Sequence, residues 1–137
     1  MKCFKDINFN DKKVIIRVDY NIPINNGQII DDFRIRSSLP TIKHCLNKGA
    51  SVVLISHLGR PNGKVVENLS LDPIAFELED LLSVNVLFSN DCISEESIEL
   101  TRQMNPGEVH LLENLRFHNE EMENDPSFSW HLSRHGD

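Results

Sequence analysis

Three short apolar runs constrain this chain most, because each gives way at its end to a loop of polar and charged residues. Val14 to Val18 runs into Asp19-Tyr20-Asn21-Ile22-Pro23. Ser51 to Ile55 runs into Ser56-His57-Leu58-Gly59-Arg60-Pro61, and Val109 to Leu112 into Glu113-Asn114-Leu115-Arg116-Phe117. Such near-continuous Val, Ile and Leu is the pattern of strands covered on both faces. The segments between them have a helical period. Ile35, Leu39, Ile42 and Leu46 recur at spacings of three and four, with Asp31 or Asp32 as cap and Lys48-Gly49 as stop. Pro40 inside that pattern predicts a kink or the first turn of a second half.

Asn25-Asn26-Gly27 is a turn signal, since both residue types tolerate positive φ, and Gln28 to Ile30 predicts a short extended return. The loop from Ser56 to Ser70 is long and polar and is expected to be mobile. Leu71 to Leu82 predicts a second helix, opened by Asp72-Pro73, with Ile74, Leu78, Leu81 and Leu82 inward. Val84 to Phe88 predicts a strand, Ser94-Glu95-Glu96 opens a third helix to about Met104, and Asn105-Pro106-Gly107 turns into a strand from Glu108 to Glu113.

Strands alternating with helices imply right-handed crossovers, and so an α/β fold: a parallel-sheet, three-layer, Rossmann-like domain. Beyond Phe117 the acidic stretch Glu120, Glu121, Glu123 and Asp125 reads as a solvated face. Phe128 to Leu132 begins a fourth helix with no strand after it. The expectation is a C-terminally incomplete domain whose exposed sheet edge and apolar helix surface favour weak self-association.

Composition narrows the function. At 137 residues, 39% hydrophobic and 26% charged, the chain reads as one globular domain. No apolar stretch approaches the ~20 residues of a membrane span, and the N-terminus has no signal core, so a cytoplasmic protein is expected. Cys3, Cys45 and Cys92 are odd in number and widely spaced, which suits reduced thiols better than a disulfide frame or a zinc site. With a net charge of -7 and no basic run, nucleic-acid binding is not expected.

In an open α/β sheet, ligands bind beyond the carboxyl ends of the strands. Asp19, Asn21, His57, Arg60 and Arg116 all fall at such ends, which points to one anion-binding cleft. A guanidinium fork suits carboxylate or phosphate oxygens. Arg34 and Arg36 open the first helix two residues apart, so at most one faces the cleft. Arg17 and Arg102 read as ordinary surface residues. No GxGxxG or GxxxxGK[ST] loop occurs. His131 and His135 are four apart and would share a helix face, but no carboxylate lies at a matching spacing and no metal site is expected. Cys45 reads as a packing residue, Cys92 as a thiol near a strand end, and Trp130 as packing or exposed tail.

Several of these segments together resemble the N-terminal domain of the phosphoglycerate kinase family. They are Arg17-Val18-Asp19-Tyr20-Asn21-Ile22-Pro23, Asp32-Phe33-Arg34-Ile35-Arg36, Leu39-Pro40-Thr41-Ile42, Ser56-His57-Leu58-Gly59-Arg60-Pro61 and Leu112-Glu113-Asn114-Leu115-Arg116-Phe117. The resemblance runs from about Lys5 to Pro126 and departs from the family at Tyr20, where Phe is usual, and at Trp130. It implies that residues 1–137 form part of a 3-phosphoglycerate-binding domain, with Asp19, Asn21, Arg34, His57, Gly59, Arg60 and Arg116 on the substrate. It also implies that Arg34 stabilises the phosphoryl group in flight, which selects Arg34 over Arg36. In the family Mg-ATP binds a C-terminal domain across a hinge. No cofactor is therefore expected on this chain, whose parent would be a monomer and which alone would be inactive. The other class open to it is a stand-alone anion-binding or scaffolding module.

Overall fold

The computed structural model describes residues 8–122 and 125–136; Cys3 and Glu123 lie outside them. The strands are β1 (Lys13–Arg17), β2 (Ile24–Asn25), β3 (Gln28–Ile29), β4 (Ser51–Ile55), β5 (Val86–Ser89) and β6 (Val109–Leu112). The helices are α1 (Phe33–Asn47), α2 (Asp72–Leu82), α3 (Glu95–Arg102), α4 (Asn119–Met122) and α5 (Pro126–Ser133), with 3-10 turns at Glu67–Leu69 and Leu115–Phe117. The four long strands form one parallel sheet in the order β1-β4-β6-β5, and β2 and β3 make a separate antiparallel hairpin around Asn26-Gly27.

Handedness places the helices. The steps β1 to β4 and β4 to β5 run the same way across the sheet, so α1 and α2 share a face; β5 to β6 steps back, which sends α3 to the other. Packing agrees. Val52, Leu54, Val109 and Leu111 pack with Ile35, Ile42, Ile74 and Leu78. Val53 and Leu112, alternating with them, pack with Cys92, Met104, Leu115 and Phe128. The three-layer parallel-sheet expectation therefore holds.

Boundaries moved by one or two residues. The strand expected at Val84 to Phe88 begins at Val86 and takes in Ser89. Asp31, not Asp32, satisfies the start of α1, its Oδ1 accepting from Phe33 N at 2.9 Å. Asp32 holds Arg36 instead. At the other end Gly49 has φ +88°, where a Cβ would lie 2.5 Å from Asn10 Oδ1. That is why glycine ends this helix. Pro40 sits within α1, which runs unbroken across it. The tail corrects one expectation: α5 stops at Ser133, so His131 and His135 do not share a helix face, and His135 is fully buried. Cys92 is also buried, and burial pushes its thiol well up, the opposite of a reactive thiolate.

Candidate anion-binding site

Because β1, β4 and β6 are neighbours, the loops after Arg17, Ile55 and Leu112 leave the same end of the sheet side by side. Direct bonds stitch them together. Tyr20 N donates to Ser56 Oγ at 3.0 Å, Gly59 N to Asn21 Oδ1 at 2.9 Å, and Leu115 N to Ser56 O at 3.0 Å. Asn114, 1% exposed, uses its whole amide. Its Nδ2 donates to Leu58 O at 2.8 Å and Leu69 O at 3.0 Å, and its Oδ1 accepts from Leu58 N at 3.3 Å and Arg116 N at 3.0 Å. One buried side chain thus joins both ends of the long loop to the turn that carries Arg116. Buried Glu113 takes Ser70 Oγ at 2.6 Å and Leu71 N at 2.9 Å. The Ser56 to Ser70 loop is pinned at Leu58 and Leu69, and at Gly63, whose N–H reaches Arg116 O at 3.2 Å.

Of the two arginines opening α1, Arg34 turns toward the cleft. Its Nη1 donates to Asn21 O at 2.6 Å and Asp19 Oδ1 at 3.1 Å, and Asp19 Oδ1 also accepts from Asn21 N at 3.2 Å. Arg36 turns away to Asp32 at 2.7 Å. A hollow of ≈ 440 Å³ runs beside Arg17, Asp19 and Arg34, and a smaller one of ≈ 180 Å³ beside Asn21, Pro23 and Arg34.

His57 faces the same charges from the next loop. Burial, then the Arg116 and Arg17 guanidinium groups, lower its pKa against the opposing pull of Glu121 and Asp19. It is thus neutral at pH 7, with one ring nitrogen to donate and one to accept. Asp19, Asn21, Arg34 and Gly59 are linked by hydrogen bonds, and His57 and Arg116 join them through the field they share. Arg60 stands apart, exposed and without a side-chain hydrogen bond or ion pair among the described residues.

Glu121 has a role that the sequence does not show. Expected on a solvated face, its side chain is 10% exposed and bridges two arginines, with Oε1 2.6 Å from Arg17 Nη2 and Oε2 3.5 Å from Arg116 Nε. Burial opposes ionisation, but the Arg17 hydrogen bond and both guanidinium charges outweigh it and hold the carboxyl low. At 3.5 Å the Arg116 contact is an ion pair and not a good hydrogen bond, and among the described residues the buried Nε has no acceptor. Asp125 likewise is no idle surface acid, since its Oδ1 caps α5 by accepting from Phe128 N at 3.0 Å. Three guanidinium groups (Arg17, Arg34 and Arg116) stand at this end of the sheet with the carboxylates of Asp19, Glu113 and Glu121. The N–H groups that these carboxylates leave over suit the oxygens of a small anion.

The model of the family described as phosphoglycerate kinase matches residues 4–137. A phosphoglycerate kinase of Moorella thermoacetica is 53% identical over 129 residues, covering 94% of this chain and 33% of the relative. One of Desulforapulum autotrophicum is 49% identical over 134 residues, covering 97% and 34%. Among solved structures, phosphoglycerate kinase from Coxiella burnetii superposes with a TM-score of 0.84 at 36% identity, covering 98% of this chain and 33% of that one. The chain spans about a third of the length of the curated relatives it matches.

Proposed function

This chain belongs to the phosphoglycerate kinase family, and from that premise we propose that it supplies the 3-phosphoglycerate side of a reversible phosphoryl transfer. In that reaction the substrate carboxylate takes the terminal phosphoryl group of ATP, giving 1,3-bisphosphoglycerate and ADP. The observation that carries the reading is the linked set Asp19, Asn21, Arg34 and Gly59 beside His57 and Arg116. It supports binding of an anion that also bears a hydroxyl: guanidinium groups for acid oxygens, and Asp19 or Asn21 for the hydroxyl.

The chemistry asks for little else. A carboxylate is already ionised at neutral pH and needs no general base. The barrier is the approach of two anions, which positioning and fixed positive charge lower. Arg34, exposed at the mouth of the cleft, is the group we assign to the phosphoryl oxygens during transfer. One such preorganised donor is typically worth about 3 kcal/mol in the transition state. The donors here do not fit Mg²⁺, because Asp19 and Glu121 are each matched by a guanidinium. By resemblance to the family, Mg-ATP is proposed to bind a C-terminal domain outside this chain's matched third. The chain is expected to show no ATP-dependent turnover in a coupled assay, and a cytoplasmic setting is part of the proposal.

The test is an NMR titration of the isotopically labelled chain with 3-phosphoglycerate. The expected result is a set of shifts confined to the surroundings of Asp19, Arg34, His57 and Arg116, with binding weakened at least tenfold in Arg34→Ala. A folded spectrum that does not respond would overturn the reading for this chain.

A further inference from the structure

Beside the anion site, past the ends of β5 and β6, three donors of different chemistry converge. Asp91 and Cys92 follow β5, and His118 follows the 3-10 turn after β6. One oxygen, one sulfur and one ring nitrogen of these residues lie within 4.8 Å of one another. The sequence holds no hint of this, since 26 positions separate Cys92 from His118 and no metal-binding spacing relates them.

From this convergence we infer that Asp91, Cys92 and His118 form a binding site for a thiophilic divalent cation of the Zn²⁺ class. Two features argue for that class. The donor set of one thiol, one imidazole and one carboxylate is the one zinc takes, and Mg²⁺ and Ca²⁺ prefer oxygen alone. Access is the second feature. Cys92 lies at the bottom, 1% exposed, but the Asp91 and His118 side chains are 39% and 26% exposed, so the open side can admit an ion and a water as fourth ligand. A cation that binds the sulfur displaces its proton to solvent.

The competing account is that Asp91 and His118 simply hydrogen-bond, Oδ1 to Nε2 at 2.7 Å, over a cysteine that only packs. The two accounts differ by a small movement. Donors around tetrahedral zinc stand about 3.3 to 3.6 Å apart, given bond lengths near 2.0 to 2.3 Å. The Asp91–His118 pair would open by under about 1 Å, and the sulfur, within 4.8 Å of both, would close by at most about 1.5 Å, movements that the exposed His118 side chain can share. Such a site would tie the β5–α3 loop to the segment two residues beyond Arg116.

The experiment titrates the chain with Co²⁺, whose thiolate complexes absorb in the near ultraviolet, and repeats it with Zn²⁺ in competition. The expected result is one equivalent bound with a thiolate-to-cobalt band. The band should be lost in Cys92→Ser, and affinity should fall at least tenfold in His118→Gln. The absence of a band would overturn the site. So would a band that survives Cys92→Ser, which would belong to Cys3 or Cys45. Should Cys92→Ser not fold, His118→Gln decides: unchanged cobalt affinity in a variant that melts like the parent overturns the proposal.

Discussion

A single side chain, Asn114, determines whether the anion-site residues stand together before any ligand arrives. Its four hydrogen bonds are all made inside the protein, and none can be passed to water without opening the loops. Asn114→Ala leaves Leu58 N, Leu58 O and Leu69 O without their partner. Each abandoned buried group costs about 1–3 kcal/mol, less whatever the loops recover by relaxing. The expected loss is about 3 kcal/mol in urea unfolding, with the Arg116 resonances displaced in the folded spectrum. A variant within about 0.5 kcal/mol of the parent would show that the loops hold themselves. Asn114 lies in the Leu112 to Phe117 segment, where Arg116 is the residue whose type points to anion binding. An arginine declares its chemistry by type, whereas an asparagine's role depends on what its amide meets 45 and 56 residues away in the chain. The role of Glu121 is hidden for the same reason. Its neighbours in sequence are acidic, and only the fold brings Arg17 and Arg116 to it.

At the scale of elements, the periodic segments were legible and the loops were not. The helical stripe from Ile35 to Leu46 and the β-branched runs state their partners through spacing alone, and they became α1, β1 and β4 with ends off by a residue or two. The Ser56 to Ser70 loop offers no period, and its polar composition suggested freedom. What fixes it is specific bonding and one backbone conformation. Gly59 has φ +64°, and a Cβ there would meet Leu69 Cδ2 at 2.8 Å. Leu69 is a flexible side chain that can give way, so the main cost of Gly59→Ala is the left-handed backbone, about 1–2 kcal/mol. Because Gly59 N also donates to Asn21 Oδ1, the substitution should weaken 3-phosphoglycerate binding as well. Thermal melting and the same titration measure the two effects. An alanine variant with unchanged melting would mean that the loop has room to change its turn.

For the whole molecule, the tail and the far face of the sheet are joined by a chain of polar groups that makes stability depend on pH. Ser89 Oγ, His110, Thr101 and His135 are linked in sequence at 2.6, 2.8 and 2.7 Å, and His135 Nε2 ends on Cys92 O at 2.8 Å. The carbonyl only accepts, so His135 carries its proton on Nε2 and its Nδ1 accepts from Thr101. The Thr101 hydroxyl has one proton to give, so it must accept from His110 Nδ1, and His110 Nε2 then accepts from Ser89. With both rings neutral, every link is satisfied by a single proton. Burial, and then the neighbouring His135, lower His110 from 6.5 to about 4, and burial lowers His135 as well. In the unfolded chain both rings titrate near 6.5. Below that pH the unfolded state takes up protons that the folded state refuses, so stability is full above about pH 6.5 and falls as the pH drops toward 4. For His110 alone the loss is on the order of 3 kcal/mol. The depressed carboxyls of Glu121 and Asp91 act only below the ordinary carboxylate range, so the two windows separate. Urea unfolding at half-unit steps from pH 7 to 4 should show the decline, and His110→Gln should make it shallower at a lower starting stability, the remainder belonging to His135 and His57. A parent profile level down to pH 4.5 would mean that one of the rings is already charged in the fold and that the chain of protons runs otherwise.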